Sequence, residues 1–164
     1  MSRKNLPAVT SENGVMVVEE AQQFVSISIG TQNFGIPVLL VHDVLGPQRI
    51  TRIPLSPPEV AGSLNLRGRI VTAVHVRRRL GLEPLDKAED TMSVVVEYEG
   101  ELYSLIVDGV GEVLTLNDKD FEAHPPTMSQ VVRDMSSGIY RLEQSLLVVL
   151  DVPSLLNFAS AEAA

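Results

Sequence analysis

The second half of this 164-residue chain can be laid over the first in two stretches, with the order of the matches preserved. Phe24-Val-Ser-Ile-Ser-Ile-Gly30, Phe34 and Val41-His-Asp-Val44 match Val94-Val-Val-Glu-Tyr-Glu-Gly100, Tyr103 and Val110-Gly-Glu-Val113, the offset moving from 70 to 69. Gly62 to Leu66, Ile70 to Val76 and Leu80 match Gly138 to Leu142, Leu146 to Val152 and Leu156 at a constant offset of 76. A chain of this length holds about one domain's worth of residues, so a repeat inside it divides the chain into two similar small units.

The period of the apolar residues says what those units are made of. Val25, Ile27 and Ile29 alternate with serines, and Val94, Val96 and Tyr98 alternate with Val95, Glu97 and Glu99, which is the two-residue period of half-buried strands. Phe34 to Val41, Ile70 to Val76, Leu102 to Val107, Gly111 to Leu116 and Leu146 to Val152 read as further strands, separated by turn-rich pieces such as Gly30-Thr31-Gln32-Asn33 and Glu99-Gly100-Glu101. Glycines 109 and 111 signify a hairpin or a bulge. Helix signals are short: the Asn117-Asp118-Lys119-Asp120 cap, a turn at Pro57-Pro58-Glu59, and Pro153 as a first helical residue for Ser154 to Ala161. The fold expected is mainly β, each half supplying about five short strands that avoid exposed edges by curling into a small barrel, with short connecting helices and a short C-terminal helix. The boundaries expected are a mobile tail over 1–20, a first barrel over 21–85, a second over 86–158 and a tail over 159–164. The hinge falls at Glu83 to Asp90, and the N-terminal strand is also able to cross into the second barrel.

Composition narrows function by exclusion. The chain has no Cys, which removes a disulfide framework, thiol catalysis and thiolate metal sites. Its longest apolar run, Ile36 to Val41, contains Pro37 and falls far short of the ~20 residues of a spanning helix. Arg3 and Lys4 are followed by polar residues rather than a signal-peptide core, so no membrane insertion and a cytoplasmic location are expected. The net charge of −8 argues against nucleic acid as a partner. Against that acidic body, the stretch from Arg49 to Arg79 holds seven arginines (49, 52, 67, 69, 77, 78, 79) and one acid, Glu59. It is either a solvated face balanced by acids folded nearby or a docking surface for an acidic segment. His42, His75 and His124 have no metal-ligand spacing, and His42 and Asp43, as strand neighbours, point to opposite faces. Nucleophile elbows, Walker loops and dinucleotide fingerprints are missing, so no catalytic residue, metal or cofactor is expected. His75 and Asp151 occupy equivalent places at strand ends and read as turn-stabilising groups. A binding module is the default, with acid–base catalysis by His42, His75 or Asp108, or a general interaction barrel, as alternatives.

Gly62-Ser-Leu-Asn65-Leu66-Arg67-Gly68-Arg-Ile-Val, followed by Val74-His75-Val76-Arg77-Arg-Arg-Leu80-Gly81-Leu82, resembles the signature of CheW-type chemotaxis coupling proteins. Phe34-Gly35-Ile36-Pro37, Thr51-Arg52-Ile53-Pro54 and Ile106-Val107-Asp108-Gly109-Val110 extend the resemblance over about Gln23 to Asn157. His75 stands where the family pattern has Asp, and Thr72 where it commonly has Pro. The resemblance implies two SH3-like five-stranded barrels and a non-catalytic adaptor. Its implied partners are the regulatory domain of a CheA-type histidine kinase and the cytoplasmic helical tip of methyl-accepting chemoreceptors. It implies partner contacts around Val41, Asp43, Val44, Gly62, Asn65, Arg67 and Gly68, the two glycines also reading as turn residues. Asp43, the sole acid between Glu20 and Glu59, is expected to pair with Arg67 and brace the contact loop. A coupling protein of a related, non-flagellar signalling array is the alternative within the same resemblance.

Overall fold

The structure, a computed structural model, describes residues 8–12 and 15–157; residues 1–7, 13–14 and 158–164, which include the expected tail 159–164, lie outside the described residues. In the stretch read as an N-terminal tail, β1 (Ala8–Glu12) pairs antiparallel with β2 (Val15–Glu19) in a sheet of their own. The first half continues with β3 (Ala21–Ile29), β4 (Gln32–Pro37), β5 (Val41–Leu45), β6 (Val60–Leu66), β7 (Arg69–His75) and the one-turn helix α1 (Val76–Arg79). The second half holds β8 (Met92–Tyr98), β9 (Glu101–Val107), β10 (Gly109–Asn117), β11 (Phe121–Glu122), α2 (Gln130–Asp134), β12 (Ser136–Arg141), β13 (Leu146–Leu150) and α3 (Val152–Leu155). Helix α3 starts at Val152, so Pro153 is its second residue.

The strands form a five-stranded sheet in the order β5-β8-β9-β7-β6 and a six-stranded sheet in the order β10-β3-β4-β13-β12-β11. These are the two SH3-like barrels, the second extended by the two-residue β11. Their composition corrects the expected boundaries at 21–85 and 86–158. Hairpin β3–β4 belongs with β10, β12 and β13 of the second half, while hairpin β8–β9 belongs with β5, β6 and β7 of the first. The crossing involves a whole hairpin from each half, not the N-terminal strand alone.

Both sheets use the same register. Ser26 faces Gly35 in β3–β4 and Val95 faces Ser104 in β8–β9, a shift of 69 at both positions. Val44 faces Val94 as Val113 faces Val25. Gly62 faces Ala73 as Gly138 faces Val149, a shift of 76. The offset of 70 between Phe24 and Val94 is therefore off by one. Aligning Gly30 with Gly100 produces the slip, because the β3–β4 turn has its left-handed glycine first (φ 60), whereas Glu99 and Gly100 are both left-handed (φ 53 and 80). In a strand, one residue of slip exchanges the two faces.

Those faces matter because both are buried. Val95, Ile106, Val71 and Ala73 point into the five-stranded barrel with Leu64 and Leu102. Phe24, Tyr140, Leu147 and Val149 fill the other. The alternate residues, including Val94, Val96, Leu105, Ile27, Phe34 and Val148, are among the eighteen buried side chains of one core contributed by both sheets. This explains why Val94-Val95-Val96 and Leu146 to Leu150 are continuously apolar: strands covered on both sides lose the polar alternation. At ~1.5–3 kcal/mol for each large apolar side chain buried, the shared core outweighs either barrel interior, so the two barrels fold as one unit.

Gly62 and Gly138 occupy equivalent bulges, with φ of 149° and 159°. A Cβ on Gly62 would overlap the Thr51 carbonyl, which is held by the paired Thr51–Ser63 backbone bonds at 2.8 Å, and one on Gly138 would overlap the Phe121 ring. Gly68, by contrast, is left-handed at φ 84 but has open space around its missing Cβ. In urea titrations Gly62→Ala should cost about 3 kcal/mol or more, from strain plus overlap, and Gly68→Ala only about 1 kcal/mol. Each should unfold in a single transition seen by every probe.

Candidate protein-binding surface

The residues singled out by the resemblance divide into a surface group and a packing group. Strand β5 and the β6–β7 hairpin lie at opposite edges of the five-stranded sheet. Arg67 Nη2 donates to Asp43 Oδ2 at 3.1 Å across those edges, so the expected pair is present. The other Asp43 oxygen accepts the Val44 N–H at 2.9 Å. Asn65 Oδ1 accepts the Gly68 N–H at 3.0 Å and so closes the turn carrying Arg67. Val44 is part-exposed beside Asp43 in the chain. Val41, half-buried, packs on the shared core, and Gly62 is buried in its bulge. The structure thus gathers Asp43, Asn65, Arg67 and Gly68 at one end of the barrel and assigns Val41 and Gly62 to packing.

Arg67 is poorly explained by stability. Its φ of 52° is left-handed, a conformation suited to Asn or Gly in a two-residue hairpin turn and costing other residues about 1–2 kcal/mol. Its side chain is 78% exposed, and an ion pair so exposed contributes only ~0–1 kcal/mol. Favourable and unfavourable contributions roughly cancel, leaving an oriented guanidinium presented to solvent.

The arginine cluster splits between both readings offered for it. Arg77, Arg78 and Arg67 meet acids, and Arg79 donates to the Leu155 and Ser154 carbonyls of α3 at 2.8 and 2.9 Å. Among the described residues Arg49, Arg52 and Arg69 have no ion pair. Arg52 lines a groove of about 690 Å³ together with Ile53, Leu55, His75 and Arg78. Leu55 in this loop is fully exposed and left-handed at φ 62. Leu55 carries no signal in sequence, because a lone Leu between prolines has no pattern, whereas Ile53 falls in the Thr51-Arg52-Ile53-Pro54 run.

The strongest polar contact was also missed. Arg77 Nε and Nη2 donate to the two Asp108 oxygens at 2.8 and 2.6 Å, and the Gly30 N–H donates to Asp108 Oδ2 at 2.6 Å. One carboxylate therefore ties α1, the end of β9 and the β3–β4 turn, that is, both sheets. The Arg77 hydrogen bonds hold the Asp108 carboxyl below its ordinary value of 3.8, helped by the Gly30 N–H, and the carboxylate raises Arg77 in turn. Sequence marks Asp108 as a charged residue ending an apolar strand beside a glycine, within a motif of the resemblance, but nothing in it names Arg77 as the partner.

The three groups weighed for acid–base chemistry have separate engagements. His42 Nε2 lies 2.6 Å from Glu97 Oε1 on the exposed side of β5 and β8. His75 is half-buried, and burial, with Arg78 as a second cause, lowers its pKa below 6.5. His75 and Asp108 share the lining of a cavity of about 160 Å³, but both Asp108 oxygens are taken by Arg77 and Gly30. His124 is bonded to Ser136 Oγ at 3.0 Å. Asp151 does brace its turn, accepting from the Ser154 hydroxyl, whereas His75 makes no such bond at the start of α1.

Two interleaved SH3-like barrels carrying a braced, solvent-presented turn define a β-barrel interaction module. A sequence model of the CheW-like domain matches residues 23–160. The chain belongs to the CheW-like family. It is 26% identical over 143 residues to the probable chemotaxis protein CheW of Rhizobium etli, covering 87% of this chain and 92% of that protein. It is 28% identical to the chemotaxis protein CheW of Helicobacter pylori, covering 85% and 84%, and 27% identical to Protein PilI of Pseudomonas aeruginosa, covering 82% and 78%. The crystal structure of the scaffolding protein TtCheW from Thermoanaerobacter tengcongensis superposes with a TM-score of 0.74 at 27% identity, over 82% of this chain and 87% of that one.

Asp108→Asn should lower stability at pH 7 by about 2 kcal/mol, since it leaves a mostly buried guanidinium without its charge partner. The Asp108 carboxyl is depressed on folding, so its contribution is complete above the unfolded value and is lost as pH falls through the lower folded one. The gap between wild type and variant should stay flat from about pH 7 to 5 and narrow below about pH 4. Urea titrations across that range measure it.

Proposed function

We propose that this protein is a non-catalytic chemotaxis adaptor that couples the cytoplasmic tips of chemoreceptors to a CheA-type histidine kinase through protein surfaces. The single observation carrying this reading is the family match over residues 23–160, which spans both barrels. The Asp43–Arg67 brace supports it, because a strained, exposed arginine held in one orientation suits recognition better than folding. In this reading Asp43, Val44, Asn65, Arg67 and Gly68 form the first barrel's partner-binding face, and the kinase's regulatory domain is its partner. The adaptor acts in the cytoplasm; among the described residues no helix is long and apolar enough to cross a membrane.

A second reading, a coupling protein of a related array with another output, has its own observation in the likeness to Protein PilI. Coupling is reciprocal: if receptor-tip helix raises affinity for the kinase domain by some factor, kinase domain must raise affinity for the helix equally. The test is titration of the purified protein with the kinase's regulatory domain, with and without a receptor-tip helix. Arg67→Glu should weaken binding about tenfold, equivalent to ~1.4 kcal/mol, while the melting temperature stays within about 3 °C of wild type. Unchanged affinity, or a collapsed melting temperature, would remove Arg67 from the proposed face.

A further inference from the structure

Neither half of this chain can complete a barrel from its own strands. Residues 21–79 supply β3 to β7, but β5 and β7 find their ladder partners in β8 and β9, and β3 and β4 find theirs in β10 and β13. Four ladders therefore join the halves, and one connection runs between them, from the end of α1 to β8. That connection is held lightly. Residues 81–83 and 86–90 are exposed, and its bonds to the body all fall at its start, on α1: the Gly81 and Leu82 N–H groups donate to the Arg78 and Arg77 carbonyls at 3.0 and 2.7 Å, Arg77 Nη1 reaches the Glu83 carbonyl at 3.3 Å, and Arg78 pairs with Glu83 at 3.4 Å.

From this we infer that the halves are exchangeable between copies: two chains can form a closed dimer in which each barrel pair is built from the first half of one copy and the second half of the other. The partner is a second copy of this chain, and the surface it fits is the set of four composite ladders. Every strand pairing, the shared core and the Arg77–Asp108 tie would be reproduced across the two chains, since Arg77 lies in the first half and Asp108 in the second. Only the path of residues 81–91 changes. Packing keeps the exchange in register. A Cβ at Gly35 would lie 2.9 Å from the buried Leu147 Cδ2 and 3.3 Å from the Phe24 Cβ, so Ser104 of hairpin β8–β9 fits the β4 place only if Leu147 moves, although the two hairpins share one backbone pattern. Each half is thus selected for its opposite half, which closes the assembly as a dimer. Asp43 and Arg67 both lie in the first half, so the dimer carries two copies of the braced turn and engages paired partners bivalently.

A short flexible connection gives an effective concentration of about 1 mM, so the full-length chain is a monomer at micromolar concentration and exchange becomes competitive only near that value. Two arms test this with the full chain. Deletion of residues 84–89 should convert the monomer into a dimer by analytical ultracentrifugation, and replacing the same residues with a longer Gly-Ser segment should lower the dimer fraction at least tenfold against the deletion variant. The second arm leaves the connection untouched. Gln23 and Thr115 face each other across β3–β10, one from each half, and the chain has no native Cys. Gln23→Cys with Thr115→Cys, denatured and refolded at about 10 µM and at about 1 mM and then oxidised, should give chiefly an intrachain bond at the lower concentration. At the higher it should give a doubly linked dimer on non-reducing gels, with native circular dichroism. Linkage that stays within one chain at both concentrations, a folded monomer from the deletion variant, or a dimer indifferent to connection length would each overturn the inference. If the deletion variant fails to fold, the cysteine arm decides.

Discussion

The core shared between the two sheets is the constraint from which the rest of the structure follows. A five-stranded sheet curled on itself encloses little: six buried side chains in one barrel and four in the other. Neither interior offsets the conformational entropy of ordering some sixty residues, which runs at ~1–2 kcal/mol per residue for the backbone alone. Eighteen buried side chains between the sheets supply what the interiors cannot, and they include the residues after each final strand: Val76 and Leu80 on one side, Val152, Leu155 and Leu156 on the other. The short helices are therefore not decoration between strands. They carry apolar groups from each barrel into the common core, and Arg79 fastens one helix to the other through the α3 carbonyls.

Polar contacts then fix how the sheets sit. Asp108 is placed where β9 leaves one sheet and β10 enters the other, and it receives a donor from each side, Arg77 and the Gly30 N–H. A bidentate guanidinium–carboxylate pair prescribes angle as well as distance, so it orients two apolar faces that hydrophobic burial alone would leave free to slide. The Asp43–Arg67 pair has similar chemistry and a different consequence. It is mostly exposed, spans two edges of one sheet and adds little energy; what it fixes is the direction of one turn.

Much of this was legible in the sequence, and the parts that were not share one cause. Alternation in Val25-Ile27-Ile29 marks strands because their period is local, and the shift of 76 between Gly62 and Gly138 locates equivalent bulges because both need the same missing Cβ. The register shift between Val110 and Val113 lies where Gly109 and Gly111 signalled a bulge. What a sequence lacks is the identity of the partner strand. Since β3–β4 and β8–β9 share one backbone register, β5 would pair equally well with either on pattern alone, and a division at Glu83–Asp90 looks natural although both barrels cross it. What discriminates is side-chain volume in the packed interior, such as the space at Gly35 against Leu147 and Phe24, set in part by residues far apart in the chain. The Arg77–Asp108 tie was hidden for the same reason. The Asp43–Arg67 pair was accessible because Asp43 is the sole acid between Glu20 and Glu59 and faces a stretch full of arginines.

Repetition also sharpens the reading of the surface, because equivalent positions in the two barrels isolate what each has changed. Under the shift of 76, Val74, Val76 and Leu80 correspond to Leu150, Val152 and Leu156, all in the shared core. The exposed turn positions do not keep their chemistry: Arg67 and Arg69 in the β6–β7 turn correspond to Glu143 and Ser145 in the β12–β13 turn. Folding requires the same turn twice, and the Leu142–Ser145 backbone bond closes the second as the Leu66–Arg69 pairing closes the first. It does not require opposite charge at the two tips. A duplicated scaffold with one shared core and unlike ends therefore holds two turns of different charge in a fixed relation, a difference that folding does not call for.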